Sequence, residues 1–168
     1  GFRQRRNDVV PNAEHLAKRV TVNAELPPEA LRDLLVAAIT VKYTQSNSVG
    51  YALDGQMVGV GAGQQSRVDC TKLAGRKVDI WHLRQHPKVR GLPFRDGVKG
   101  VGRTNARVGY IEGDLTPPEY QAWLTHFDRE PAPLTGSDKR AWLAQLGGVS
   151  LASDAFFPFP DGIEAAAE

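Results

Sequence analysis

Cysteine is almost missing from this chain: Cys70 stands alone among 168 residues. A single thiol excludes an intrachain disulfide and a cysteine-based zinc cluster. No apolar run approaches the ~20 residues that a helix needs to cross a bilayer. The basic start of the chain is followed by no apolar segment of the kind a secretory leader requires. No membrane association is therefore expected, and a reducing, cytoplasmic setting is. Charge of one sign is also scarce. A formal net charge of +2 is too small to point to nucleic acid. The four histidines, His15, His82, His86 and His126, have no metal-ligand spacing. A zinc deaminase needs a His-x-Glu and a Cys-x-x-Cys, and neither is present, so zinc is not expected.

What is present is ordinary for a globular protein, with 41% hydrophobic and 24% charged residues. The length suits one domain or a large part of one. Pro27 and Pro28 can open a helix, because the N–H that proline lacks has no partner in a first turn. Leu31, Leu34, Leu35, Ala38 and Ile39 then recur at helical spacing and predict a helix over 27–44 with one buried face. Asp54-Gly55 between the apolar runs 49–53 and 56–61 predicts a β-hairpin, since a type I′ turn needs two residues at positive φ. Gly61 and Gly63 let the chain turn into a second helix over 65–86, which Pro87 ends. Residues 87–115, rich in glycine and basic side chains, read as a loop. Thr116-Pro117-Pro118-Glu119 is a capping-box pattern that starts a helix to about 129. A further helix is expected over 136–146, closed by Gly147-Gly148. A short strand follows over 149–152, and a helix begins at about 164.

Three polar or aromatic motifs do not fit the needs of a core. Lys42-Tyr43-Thr44-Gln45-Ser46-Asn47-Ser48 gathers hydroxyl and amide groups where the first apolar stripe ends. If buried, they need water, an ion or a ligand. Asn47 suits an oxyanion donor, being neutral and rigid. It equally suits a helix C-cap. Gly63-Gln64-Gln65-Ser66-Arg67 has the look of a helix N-terminus, which presents N–H groups to an anion or carbonyl. The plainer reading is a turn with Ser66 as cap. Asp154-Ala155-Phe156-Phe157-Pro158-Phe159-Pro160-Asp161 offers an aromatic wall for a flat ligand, or a hydrophobic loop plug. In Arg103-Thr104-Asn105-Ala106, Asn105 is a binding residue or a turn residue. The nearby arginines attract a polyanionic tail, or simply form a solvated face.

In order and spacing these motifs, with Gln4-Arg5-Arg6-Asn7-Asp8, resemble the transformylase part of the bifunctional AICAR transformylase/IMP cyclohydrolase family. The resemblance implies an α/β fold: a cytidine-deaminase-like three-layer α/β/α arrangement with a mixed sheet, truncated at the C-terminus. Residues 1–168 would be the C-terminal half, the second cytidine-deaminase-like subdomain, of a transformylase domain. The implied reaction moves a formyl group from 10-formyltetrahydrofolate to the 5-amino group of AICAR, on the way to IMP. By the same resemblance Asn47 is catalytic, contacting the formyl group. Arg67 and Phe156 bind the substrate. Val68, Asn105, Pro158, Phe159 and Asp161 face the folate. Pro160 departs from the family, which commonly has a basic residue there. Val41, Thr44, Ser46, Ser48 and Asp154 match positions that hold a potassium ion, although buried hydroxyls bonded to backbone carbonyls explain the same residues.

The family's catalytic Lys-His pair matches no position in this sequence, so the isolated chain is expected to be inactive. In the family the active site is shared across a homodimer. A second reading, from a different class, is a catalytically silent nucleotide-binding or structural module.

Overall fold

The computed structural model describes residues 1, 3, 6–22 and 24–167. Gln4 and Arg5 of the first motif, and Glu168 of the final helix, lie outside the described residues. The fold is α/β, as expected. It divides into two compact units, Gly1–Gly75 with Gly148–Glu168, and Arg76–Gly147.

In the first unit a 3₁₀ turn, Ala13–Leu16, precedes helix α1 (Pro28–Lys42), which has proline at its first position. Strands β1 (Ser48–Leu53) and β2 (Gln56–Ala62) form the predicted hairpin. Asp54 and Gly55 sit at φ 52° and 76°, the left-handed values a type I′ turn requires. Strand β3 (Ser150–Ser153) adds to the free edge of β1, giving the order β2-β1-β3. Both pairings are antiparallel, so the sheet is not mixed. The hairpin supplies the first antiparallel pair, and β3 returns with Val49 opposite Ser153.

Helix α1 lies against β1 and β3. Its deepest positions are not the expected leucine stripe, which is only partly buried, with Ile39 exposed. They are Asp33, Ala37 and Val41. The small Ala37 allows close approach to the sheet. Asp33, 1% exposed, serves the hairpin: its carboxylate accepts the N–H groups of Asp54 at 3.0 Å and Gly55 at 2.7 Å. The Arg32 Nε donates to it at 2.9 Å. The Arg32 hydrogen bond is the main reason that the Asp33 carboxyl sits below the usual range; burial opposes it.

Helix α2 (Arg67–Leu83) starts in the first unit and ends in the second. Gly61 of β2 faces it so closely that a Cβ there would collide with the Cys70 carbonyl. Helix α2 stops four residues short of Pro87. That proline instead opens the short helix α3 (Pro87–Arg90), with His86 capping the Lys88 N–H. The residues expected to form a basic loop contain helix α4 (Gly100–Glu112). Its Ala106, Tyr110 and Ile111 bury against Trp123 and Phe127, and that packing outweighs the poor helix propensity of its glycines. Helix α5 (Pro117–Leu124) starts at the predicted capping box, with Glu119 accepting the Thr116 N–H at 2.8 Å. It ends earlier than expected, because Phe127 leaves the helix to bridge Phe94. Helix α6 (Gly136–Leu143) completes this unit. Helix α7 (Pro160–Ala167), in the first unit, begins four residues ahead of the expected start.

Candidate functional site

Three segments far apart in sequence meet on Arg67. Strand β3 runs beside β1, so Asp154 arrives next to Ser48, 106 residues away. The two exchange hydrogen bonds: Asp154 N–H to the Ser48 carbonyl at 3.1 Å, and Ser48 N–H to Asp154 Oδ1 at 2.9 Å. From the first turn of α2, Arg67 Nη1 donates to Asp154 Oδ1 at 2.5 Å, Ser153 Oγ at 2.7 Å and the Ser48 carbonyl at 3.3 Å. Its Nη2 donates to Asn47 Oδ1 at 2.9 Å. The two charged side chains are 9% and 17% exposed. Asp154 as a residue is open to solvent, so that exposure lies mostly on its backbone. Burial pushes the Asp154 carboxyl up, but the Ser46 hydroxyl, the Ser48 N–H and Arg67 together hold it below the ordinary carboxylate range.

Asn47 is held from every side. Its Nδ2 donates to the Gln64 carbonyl at 3.0 Å. Its own carbonyl accepts the Gly63 N–H and the Cys70 thiol, both at 2.8 Å. Gly63 turns at φ 66° to make this contact. The amide is therefore oriented without help from a ligand, and it retains a second N–H on Nδ2. Ser66 caps α2 by accepting the Asp69 N–H at 3.1 Å, the plainer role foreseen for it.

Beside this hub lies a cleft of about 450 Å³. One side is Asn47 with residues 65–68; the other is 155–159 with Asp161 and Gly162. Phe156 is 79% and Phe159 67% exposed, an apolar wall that is open to solvent. Seven of the eight anticipated substrate and folate residues line this one cleft: Asn47, Arg67, Val68, Phe156, Pro158, Phe159 and Asp161. Asn105 does not; it is exposed on α4 in the second unit. Pro160 opens α7 and so puts Asp161 in that helix's first turn, where its carboxylate accepts the Gly162 N–H at 2.7 Å.

The anticipated potassium residues meet in a second cleft of about 410 Å³, lined by Val41, Thr44, Ser46 and Asp154 with Lys42. Ser48 is not part of its lining; it is fully buried and donates to the Val41 carbonyl at 3.3 Å. A carboxylate, hydroxyls and main-chain carbonyls are the hard oxygen donors that such a cation takes, and in this respect the residues fit. The Thr44 hydroxyl donates to the Thr40 carbonyl at 2.7 Å, which still leaves its lone pairs for a cation. Sequence reasoning missed two features here. The Arg67 hub depends on pairing between β1 and β3, which no local pattern announces. Lys42 lines this second cleft and donates to the Val9 carbonyl.

A rigid amide and a guanidinium beside an open aromatic wall are groups that a flat, polar small molecule can use. Residues 2–77 match the model of the AICARFT/IMPCHase bienzyme family. The match contains Asn47, Arg67 and Val68, and stops before Asn105 and the Phe156 motif. A bifunctional purine biosynthesis protein PurH of Xylella fastidiosa is 40% identical over 80 residues, 45% of this chain and 15% of its own length. Another, from Magnetococcus marinus, is 40% identical over 98 residues, 51% of this chain and 18% of its own. The chain thus spans less than a fifth of these relatives' length.

Proposed function

We propose that this chain forms one wall of an AICAR transformylase site in purine biosynthesis. The reaction is transfer of a formyl group from 10-formyltetrahydrofolate to the 5-amino group of AICAR, in the cytoplasm. The observation that carries the reading is the convergence of Asn47, Arg67 and the Phe156–Asp161 stretch on a single cleft, together with the family match over the segment that holds the first two. The AICAR amine is a weak nucleophile, because its lone pair is delocalised into the ring and carboxamide. Rate then depends on orientation, on proton removal and on stabilising the oxyanion formed at the formyl carbon.

Asn47 supports the third need: its amide is fixed on both ends, so the remaining N–H is aimed at no reorganisation cost. Arg67 orients Asn47 and presents positive charge at the cleft edge. Phe156 stacks on the substrate base, while Val68, Pro158, Phe159 and Asp161 receive the folate ring system. Asn105, on α4 of the second unit, also faces the folate. A potassium ion held by Asp154 with oxygens of Val41, Thr44, Ser46 and Ser48 would supply charge that steadies the strand and helix ends carrying Asn47. The proton acceptor comes from a Lys-His pair outside these 168 residues, in a homodimer.

Binding is the test. Calorimetric titration of this chain with AICAR, and separately with tetrahydrofolate, should give saturable binding that Phe156→Ala weakens. No saturable binding of either ligand, at any concentration up to several millimolar, contradicts the reading. Saturable binding with no formyl transfer, even after addition of the Lys-His-bearing half of a relative, favours the silent binding module instead.

A further inference from the structure

In the second unit three cations converge on one cleft. Residues 76–147 hold twelve Lys and Arg against eight Asp and Glu. Arg84 follows the last turn of α2, Arg90 closes α3, and Arg107 lies on α4 one turn beyond Thr104. With Gln85 and Thr104 they line a cleft of about 330 Å³ whose lining, among the described residues, holds no carboxylate. Among the described residues none of these three guanidiniums takes part in an ion pair. The Arg107 guanidinium carbon lies over the Phe94 ring, 5.2 Å from its centroid. The Arg84 Nε is buried and, among the described residues, has no hydrogen-bond partner.

Buried N–H groups are nearly always partnered, and a guanidinium is a donor without acceptor capacity. Its missing partner must therefore be an acceptor. Like charges gathered around one concavity also repel unless a counter-charge sits among them. We propose that this cleft is an oxyanion-binding site, taking the carboxylate or phosphate groups of a small molecule. The planar forks of arginine suit both groups, because each offers paired oxygens for two parallel hydrogen bonds. The volume exceeds what one such group fills and is small for a ligand pocket. A short oligoanion, with two or more charged groups in sequence, fits it best. The inference stands on Arg84, Arg90, Arg107 and Gln85 alone, and holds whether or not the chain takes part in formyl transfer.

The test is calorimetric titration of the whole chain with two probes, γ-linked triglutamate and pyrophosphate, at about 50 mM salt, where screening is weak. At least one probe should bind saturably. Stronger triglutamate binding identifies a carboxylate ligand, and stronger pyrophosphate binding a phosphate. Arg84→Gln and Arg90→Gln should each weaken binding about tenfold or more, since each removes charge-assisted bonds. Arg129→Gln, an exposed change of equal charge in the same unit but outside the cleft, should alter it less than about twofold. If Arg84→Gln does not fold by circular dichroism, Arg90→Gln decides, because Arg90 is exposed. Absence of saturable binding by both probes overturns the proposal. So does an equal loss in Arg129→Gln, which would mean diffuse attraction to a basic surface.

Discussion

Replacing Asp154 by asparagine tests whether the Arg67 hub is built on charge. In the native protein Asp154 Oδ1 accepts from Arg67 Nη1 at 2.5 Å and from Ser48 N–H at 2.9 Å. Asparagine keeps the shape and one acceptor oxygen, so what is lost is the charge. Hydrogen bonds to charged groups contribute about 1.5–3 kcal/mol and neutral ones about 0.5–1.5. Exchanging the charged acceptor for a neutral one therefore costs about 1–2 kcal/mol. Arg67, whose side chain is 9% exposed, is also left without its counter-charge, which brings the loss to about 2–3 kcal/mol. In a chain of this size that lowers Tm by about 4–12 °C. The sign of the pH dependence follows from the lowered folded pKa of Asp154. Its contribution is complete above the ordinary carboxylate range, near pH 4, and is lost as pH falls through the lower folded value. Denaturation curves of both proteins should thus be furthest apart at pH 7 and converge as pH falls below the ordinary carboxylate range. Asp33, Glu119 and Asp138 are shifted in the same direction but are common to both proteins, so they cancel in the difference. A gap below about 0.5 kcal/mol at pH 7, or one that does not change with pH, refutes the charge-based account. Repeating the melts in potassium and in tetramethylammonium tests the ion: native stability should respond to potassium and the variant should not. Equal responses contradict the ion site.

Three more expectations concern the scaffold and the chemistry. Asp33→Ala strands the Asp54 and Gly55 N–H groups and should destabilise the protein by about 2–4 kcal/mol in urea unfolding; a loss below about 0.5 kcal/mol would show that the turn holds itself. Gly61→Ala drives a Cβ into the Cys70 carbonyl, and should lower Tm more than the half-buried control Gly75→Ala, whose Cβ meets nothing within 4 Å; an equal effect would contradict the close approach of β2 and α2. The purified 168-residue chain should transfer no formyl group; turnover would require a base within it, with His82 and His86 the first to replace.

Local chemistry made the hairpin legible, because Asp-Gly is one of few pairs that accept two left-handed residues. It also made α1 legible through its prolines, and α5 through the reciprocal Thr116–Glu119 bonds. The α4 segment was not legible. Its glycines, Gly100, Gly102 and Gly109, argue for a loop, and only packing of Tyr110 on Trp123 reverses that. Asp33 was hidden for a similar reason: a charge on a helix reads as solvent-facing unless the turn it caps is known. The members of the candidate cleft were named from motifs, but their meeting at Arg67 follows from the β1–β3 register. Strand partners 100 residues apart leave no periodic trace.

The central claim is that Asn47 stabilises the oxyanion of formyl transfer, and the most direct measurement is the steady-state kinetics of Asn47→Ala in the complete bienzyme carrying this segment. A donor that acts in the transition state predicts a fall in kcat on the order of 10²–10³ with KM for AICAR and 10-formyltetrahydrofolate nearly unchanged. Unchanged kcat, with the whole effect in KM, would contradict the account and make Asn47 a ground-state binding residue.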